Sequence, residues 1–195
     1  MKIKIRRSTQ TDLEEVYNLH TKCFSQSDHW YKFAIKNYLD RGIVIENKEN
    51  NKLIGVLLQG IITPCNIKLN SMENEELPEF TPDAKIDGYK EDIFEHTNEI
   101  GKVFFDSKNH FKPIHGIVMI CVDGDFRGKG LGKKLIEKHF QDNPSRMLCL
   151  NTRRSNINAY SLYKKMGYVQ IAFIKNKYFS PNEDSIFMIK NNNKI

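Results

Sequence analysis

The stretch VDGDFRGKGLG, residues 122–132, decides the fold. It ends an apolar segment, Ile114–Val122, whose length and composition are typical of a strand that is buried on both faces. After it, apolar residues recur at the spacing of one helix face, at Leu131, Leu135, Ile136 and Phe140. A glycine-rich turn between a strand and a helix lets backbone N–H groups approach a ligand, and the helix N-terminus adds partial positive charge. This context predicts a site for an anion such as a diphosphate.

Cationic side chains surround the glycines of this turn. They are Arg127, Lys129, Lys133 and Lys134. The stretch has neither the G-x-x-x-x-G-K-[ST] spacing of a Walker A loop nor the G-x-G-x-x-G spacing of dinucleotide-binding folds. A tight turn with a solvated basic face is the alternative interpretation, because glycines and lysines also suit an ordinary connection between a strand and a helix.

The rest of the chain alternates strands and helices around this turn. The predicted order is β-α-α-β-β, then an insertion, then β-α-β-α-β-β, which is a mixed α/β domain. Strands are predicted at 2–7, 43–46, 53–62, 114–122, 147–150, 168–174 and 184–190, and helices are expected to begin near residues 9–11, 27–28, 131 and 155–156. We expect one domain over residues 1–190 and a polar tail over residues 191–195.

Residues 63–112 interrupt this alternation. The segment is rich in Asn, Glu, Pro and Asp, and it is much longer than an ordinary connection. It holds eleven carboxylates against six lysines, a net charge of −5 in a chain of net charge +6, so the remainder carries +11. An acidic insertion on a basic body is expected if one site holds an anion and another faces a cation. A solvated acidic loop is the alternative.

The composition excludes several classes of protein. With 195 residues, 39% hydrophobic and 28% charged, the chain suits a soluble domain rather than a fibrous or disordered protein. The longest uncharged stretch, Leu53–Ile67, has 15 residues and is too short to span a membrane, and the N-terminus lacks the apolar core of a secretory signal. We therefore expect a cytoplasmic protein, with nuclear residence as the alternative. The cysteines, at 23, 65, 121 and 149, lack the spacing of metal ligands and predict reduced thiols and no metal site.

Two segments together resemble the signature of the GNAT superfamily of acyl-CoA-dependent N-acetyltransferases. The first, residues 122–132, is similar to V-x-x-x-[FY]-R-G-K-G-[IL]-G, and the second, residues 156–168, reads N-x-x-A-x-x-L-Y-x-x-x-G-Y. By element order the resemblance covers residues 2–62 and 114–190. It implies the single-domain GNAT fold, with a mixed central sheet, a splayed strand pair and flanking helices. The insertion, residues 63–112, has no counterpart in the simplest members.

The resemblance implies acetyl-CoA as cosubstrate and no metal. The residues that it assigns to the coenzyme are Ile120, Cys121, Val122, Arg127, Gly128, Lys129, Gly130, Leu131, Gly132, Lys133 and Asn156. By resemblance, the strand residues offer backbone groups to the pantetheine arm, the turn cradles the pyrophosphate, and Asn156 holds the coenzyme from the other side. Tyr163 matches the tyrosine that members often use as a general acid toward the leaving thiolate, a role that a phenol with a pKa of about 10 can fill. The alternative is that Tyr163 is only a core aromatic.

Within the superfamily, the bacterial ribosomal-protein and eukaryotic protein N-terminal acetyltransferases resemble the chain most. Residues 150–156, LNTRRSN, are similar to their L-[EH]-V-R-x-S-N, and residues 177–185, KYFSPNEDS, to their K-Y-Y…E-D-A. This implies a peptide or protein N-terminal amine as the acceptor, flanked by Tyr31, Tyr178 and Phe179.

The sequence offers several candidates for the general base. Asn151 stands where those enzymes often carry Glu or His, and an amide cannot act as a base at neutral pH. The remaining candidates are His115, Asp28, His29 and Glu183. For each of them a structural or surface role is the alternative.

Two other functions stay open at this stage. A polyamine or another small cationic amine could be the acceptor, with the acidic insertion as its receptor. A module that binds coenzyme A without turnover would also fit the altered base position. Nucleic acid is not an expected partner, because the lysines cluster at a turn that already has an anion to hold and no RNA-binding aromatic motif is present. We expect no membrane association, and the sequence does not indicate an oligomeric state.

Overall fold

A computed structural model of the chain describes residues 1–24, 29–62, 114–144, 146–179 and 182–192, with the backbone alone for residues 29–31, 62, 172–179 and 182. The predicted insertion, residues 63–112, lies outside the described residues. The chain forms two compact units, of which the first comprises Met1–Gly60 and Ile117–Pro144 and the second comprises Ile61–Gly116 and Ser145–Asn193.

The first unit is a sheet with helices on both faces. Its strands, in spatial order, are β1 (Ile3–Arg7), β2 (Ile43–Asn47), β3 (Lys52–Ile62) and β4 (Ile114–Val122), and the ends of β3 and β4 belong to the second unit. Its helices are α1 (Leu13–Cys23), α2 (His29–Tyr38) and α3 (Leu131–Asp142). Both β1 and β3 pair with β2 in antiparallel fashion.

The core of this unit follows from the alternation of apolar side chains along β2. Val44 packs in a buried cluster with Val16 and Leu19 of α1 and with Ile35 of α2. On the opposite face, α3 packs against β2. Because neighbouring strand residues point to opposite faces, one short strand serves both helical layers.

A β-bulge interrupts the pairing of β2 with β3. Ile45 pairs with Gly55 and Glu46 pairs with Leu53, so Ile54 is an extra residue in β3. Its carbonyl oxygen accepts a hydrogen bond of 3.0 Å from the Asp123 N–H. Next to it, the Leu53 N–H donates to the Glu15 carboxylate at 2.7 Å. The bulge therefore joins α1 and the chain after β4 to the sheet.

The second unit is built around three antiparallel strands. They are β5 (Met147–Arg153), β6 (Val169–Phe179) and β7 (Asn182–Asn191), in the spatial order β5-β7-β6. Helix α4 (Ile157–Lys165) connects β5 to β6. Gly167 has a φ of +85° just after α4 and ends the helix as its position in the sequence predicts.

The strand predicted at residues 114–122 is confirmed with the same bounds. Strands β6 and β7 extend beyond the predicted ranges and form a tight hairpin in which Phe179 pairs with Asn182. Phe140, predicted to face inward on α3, is only half-buried, and His139 is buried instead. Cys23, Cys121 and Cys149 are reduced thiols as predicted, whereas Cys65 lies outside the described residues. In the described part of the chain, no helix has the length and apolar character needed to cross a bilayer.

A charge network fixes the start of α1. The Arg6 guanidinium donates to both oxygens of the buried Asp12 carboxylate, at 2.7 and 2.8 Å, and to Glu46 at 3.1 Å. Asp12 also accepts a 2.7 Å hydrogen bond from the Thr9 N–H. The hydrogen bond from Arg6 is the main cause of a lowered pKa at Asp12. The ionised carboxylate thus holds β1 and the beginning of α1 together.

We predict that Asp12→Asn lowers the free energy of unfolding by about 1–3 kcal/mol at pH 7, because the half-buried Arg6 guanidinium loses one of its two carboxylate partners, the buried one. Since the folded-state pKa of Asp12 is depressed, its contribution is present above the unfolded carboxyl pKa of about 4 and disappears as the pH falls through the folded value. Urea unfolding should therefore show a difference in the free energy of unfolding between variant and native protein that is smaller at about pH 3 than at pH 7. Glu14→Gln, at an exposed position on the same helix, is the matched control. Equal stability of Asp12→Asn and the native protein at pH 7 would contradict this role.

Candidate functional site

The chain between β4 and α3 forms a turn with two left-handed glycines. A short 3₁₀ turn, Gly124–Phe126, follows Asp123, whose carboxylate accepts from the Asp125 N–H at 3.2 Å. Gly128 and Gly130 then adopt φ values of +75° and +73°. These values suit glycine because a side chain in this conformation clashes with the backbone.

The N-terminus of α3 opens directly out of this turn. Gly130 is its N-cap, and no side chain of the described residues caps it. The first helical hydrogen bond runs from the Lys134 N–H to the Gly130 carbonyl oxygen, so the N–H groups before Lys134 have no partner within the helix. A Cβ atom at Gly128 or at Gly130 would have no atom of the other described residues within 4 Å, apart from the adjacent residues of the chain. The first turn of α3 carries no acidic residue, and Lys133 is exposed. Uncapped N–H groups, open space and positive charge together suit an anion.

Leu131 and Gly132 lie in that first turn. The Leu131 side chain is buried in the core, so only its backbone can serve a ligand. Gly132 is half-buried. Both residues are thus placed where the sequence predicts, at the start of the helix.

Two of the predicted cationic residues stabilise the turn itself. The Arg127 Nε donates to the Val122 carbonyl oxygen at 3.1 Å. The Lys129 ammonium donates to the Asp125 carbonyl oxygen at 3.0 Å and lies 4.9 Å from the centre of the Phe126 ring. Both side chains are exposed, so each can contribute charge while it also holds the turn.

The predicted strand residues lie at the end of β4. Cys121 is buried, whereas Ile120 and Val122 are half-buried. The Val122 carbonyl oxygen accepts from the Arg127 Nε and from the Cys23 thiol, the latter at 3.4 Å. Sequence patterns do not point to Cys23 as a contact of this strand end, because it lies 99 positions away from Val122. Any backbone contact from this strand to a ligand stays a prediction.

The second unit contains the two other matches to the family pattern. Asn156 is the N-cap of α4, and its side-chain oxygen accepts from the Ala159 N–H at 3.2 Å. The amide nitrogen is the group that could donate to a ligand. Tyr163 is 5% exposed, and its ring lies edge-on to Tyr168 with the ring centres 6.0 Å apart. Tyr163 therefore packs in the core of its unit, and its predicted catalytic role stays a prediction.

The candidates for a general base are held by partners. Glu183 accepts from the Ser155 N–H, from the Ser155 hydroxyl at 3.0 Å and from Arg153 at 3.4 Å. Partial burial raises the pKa of Glu183, but the hydrogen bonds from Ser155 and Arg153 outweigh it, so the pKa lies below its usual value. A carboxylate with a lowered pKa is a poor base at neutral pH.

His115 is no better placed to accept a proton. Its Nε2 lies 2.7 Å from an Arg146 guanidinium nitrogen, which can only donate. Asn151 accepts a hydrogen bond of 3.1 Å from the Ser185 hydroxyl through its side-chain oxygen. The structure does not describe Asp28 or the side chain of His29.

The predicted acceptor residues are described by their backbone alone. Tyr31 lies in α2, and Tyr178 and Phe179 lie at the hairpin end of β6, opposite Glu183 and Asn182. Their role at a substrate stays a prediction.

Residues 90–170 match the family model of the acetyltransferase (GNAT) domain. No match is found among curated proteins.

Solved structures share the fold of the chain. The ribosomal-protein-S18-alanine N-acetyltransferase of Escherichia coli is 18% identical, with a TM-score of 0.65 over 100% of this chain and 96% of that one. NAA60 of Arabidopsis thaliana, in complex with acetyl-CoA, is 17% identical, with a TM-score of 0.66 over 97% and 99%. Naa50 of Arabidopsis thaliana, in complex with the bisubstrate analogue CoA-Ac-MVNAL, is 16% identical, with a TM-score of 0.60 over 97% and 99%. The structural matches confirm the predicted mixed α/β GNAT fold. Residues 90–170 match the GNAT acetyltransferase domain, in agreement with the predicted acyltransferase class.

Proposed function

We propose that the protein transfers the acetyl group of acetyl-CoA to a primary amine, and that the acceptor is the N-terminal amine of a peptide or protein. The observation that carries the proposal is the uncapped N-terminus of α3 behind two left-handed glycines with open space around them. GNAT enzymes use acetyl-CoA, and the negative diphosphate of the coenzyme is complementary to the positive charge of this site.

The coenzyme contacts follow from the geometry of the turn. The N–H groups of the first turn of α3 donate to the diphosphate oxygens, and the exposed ammonium of Lys133 adds positive charge nearby. Lys129 and Arg127 keep the turn in this conformation before the ligand arrives. A turn that is already ordered loses little conformational entropy when it binds.

We predict that Gly130→Asp abolishes acetyl-CoA binding. A side chain at this left-handed position strains the turn, and its carboxylate repels the diphosphate from the helix N-terminus. The matched control is Gly124→Asp, which places the same carboxylate at a turn glycine that also has open space but no positive φ. Calorimetric titration with acetyl-CoA should show binding to the control and none to Gly130→Asp. A folded Gly130→Asp protein with native affinity would refute the proposed coenzyme site.

Two of the similar solved structures support a peptide or protein N-terminus as the acceptor. The Escherichia coli enzyme named above acetylates the alanine of a ribosomal protein, and the Naa50 structure holds an analogue with a peptide portion. At identities of 16–18%, these names support the proposal without extending it to a particular peptide.

A screen of acceptors tests this part of the proposal. Release of the coenzyme A thiol is measured with peptides that have a free N-terminus, with the same peptides blocked at the N-terminus but carrying lysine, and with spermidine. We expect turnover with the free N-terminal peptides and little with the other two. Turnover with spermidine alone would instead favour the small cationic amine, and coenzyme binding without any turnover would favour the binding module.

We predict that Tyr163→Phe lowers kcat on the order of 10²-fold with little change in the KM for acetyl-CoA, as expected when a positioned general acid is lost. The substitution keeps the aromatic ring that packs edge-on against Tyr168, so the core should be preserved. Tyr160→Phe is the control, because it removes another phenol from the same helix, one that donates to Gln170 at 3.1 Å. Unchanged kcat in Tyr163→Phe would leave Tyr163 with a packing role only.

A further inference from the structure

One residue organises the short turn that leads from β4 to the glycines. The Asp123 carboxylate accepts a hydrogen bond of 3.2 Å from the Asp125 N–H and so caps the 3₁₀ turn Gly124–Phe126. The Asp123 carbonyl oxygen accepts from the Phe126 N–H at 2.9 Å, and the Asp123 N–H donates to the Ile54 carbonyl oxygen at 3.0 Å. Asp123 therefore fixes both the conformation of this turn and its attachment to the bulge in β3.

The glycine segment is built on this 3₁₀ turn. Lys129, between the two left-handed glycines, donates to the Asp125 carbonyl oxygen at 3.0 Å and lies over the Phe126 ring. The Arg127 N–H donates to the Gly124 carbonyl oxygen at 3.2 Å. Rotation of the 3₁₀ turn would displace these partners, and with them the backbone that leads to the N-terminus of α3. The cap at Asp123 therefore influences the anion site through the turn rather than by contact with a ligand.

The negative charge of Asp123 does not explain its presence in this segment. A carboxylate in a segment that receives an anion repels the ligand. Its cationic partner, the Lys22 ammonium, lies 3.4 Å away on a side chain that is 68% exposed, and such ion pairs contribute little to stability. The Asp123 side chain is only 15% exposed, and its hydrogen bond to the Asp125 N–H requires an acceptor oxygen rather than a charge.

We propose that Asp123 is a positioning residue of the coenzyme site, whose side chain caps the 3₁₀ turn and so holds the backbone of residues 127–130 in the conformation that receives the diphosphate. This inference rests on the proposed function, because it takes the diphosphate of acetyl-CoA as the anion. The role depends on the length of the side chain. Asparagine keeps the acceptor oxygen at the same distance from the backbone and is an equally good N-cap, whereas the additional methylene of glutamate moves the carboxylate away from the Asp125 N–H.

Two conservative variants of the full chain separate the cap from the charge. In calorimetric titration with acetyl-CoA, Asp123→Asn should keep the native Kd to within about twofold. Asp123→Glu should raise the Kd by roughly threefold to tenfold, because the turn loses its cap. Asp125→Glu is the matched control, since it makes the same change at an exposed residue of the same turn, and it should bind acetyl-CoA as the native protein does.

Two further measurements distinguish positioning from a general loss of stability. Asp123→Glu should raise the KM for acetyl-CoA while kcat at saturating coenzyme stays within about twofold of native, because only binding is weakened. In the absence of coenzyme, hydrogen exchange at the Asp125 amide should be faster in Asp123→Glu than in the native protein or in Asp123→Asn, since this N–H loses its acceptor. A lowered Tm with an unchanged Kd for acetyl-CoA would show a structural role only and would overturn the proposal.

The outcomes also separate this role from the proposed function. If the native protein does not bind acetyl-CoA, the proposed function is wrong and the role of Asp123 falls with it. If the native protein and Asp123→Glu bind acetyl-CoA equally well, the coenzyme site stands and only the role of Asp123 is refuted. Equal losses of affinity in Asp123→Asn and Asp123→Glu would also refute it, because the charge would then be required. Should Asp123→Glu fail to fold, Asp123→Ala removes the cap without added volume and carries the same expectation.

Discussion

The backbone between β4 and α3 depends on a conformation that only glycine adopts without strain. Gly128 and Gly130 both have positive φ, and Gly130 is the N-cap of α3, with no capping hydrogen bond from a side chain of the described residues. An L-residue with a side chain would cost roughly 1–2 kcal/mol at each position. The direction of α3, the exposure of its first N–H groups and the space in front of them all follow from these two residues.

The cations of the turn serve a second purpose that their charge alone does not suggest. Arg127 and Lys129 donate to backbone carbonyls of Val122 and Asp125, so they fix the turn from within. Hydrogen-bond donors that are oriented before an anion binds need little reorganisation when it does. Electrostatic stabilisation in a protein site is effective for this reason. The Val122 carbonyl that binds the Arg127 Nε also accepts from the Cys23 thiol, so the end of α1 is attached to the same point of the turn.

The parts of the structure that the sequence predicts are those set by neighbours along the chain. An apolar run, a glycine-rich turn and a helical repeat are local signals, and they place β4, the turn and α3 correctly. Contacts between distant residues leave no such signal, so neither the Cys23 bond to Val122 nor the Glu183 bond to Ser155 could be predicted. The predicted end of β6 was too early because the polar residues 175–177 interrupt its apolar pattern, while pairing with β7 carries the strand to Phe179.

The bulge in β3 has a consequence for how the length of this chain can change in evolution. Leu53 and Val56 share one buried cluster although three positions separate them, because Ile54 is the extra residue between their pairing partners. Deletion of Ile54 would leave Leu53 and Val56 two positions apart, still on the same face, and would make the pairing with β2 regular. It would also remove the carbonyl that receives the Asp123 N–H and disturb the Leu53 N–H that binds Glu15. A lineage that lost this residue would therefore keep the sheet, but it would lose one of the contacts that attach the glycine turn and weaken one of those that attach α1.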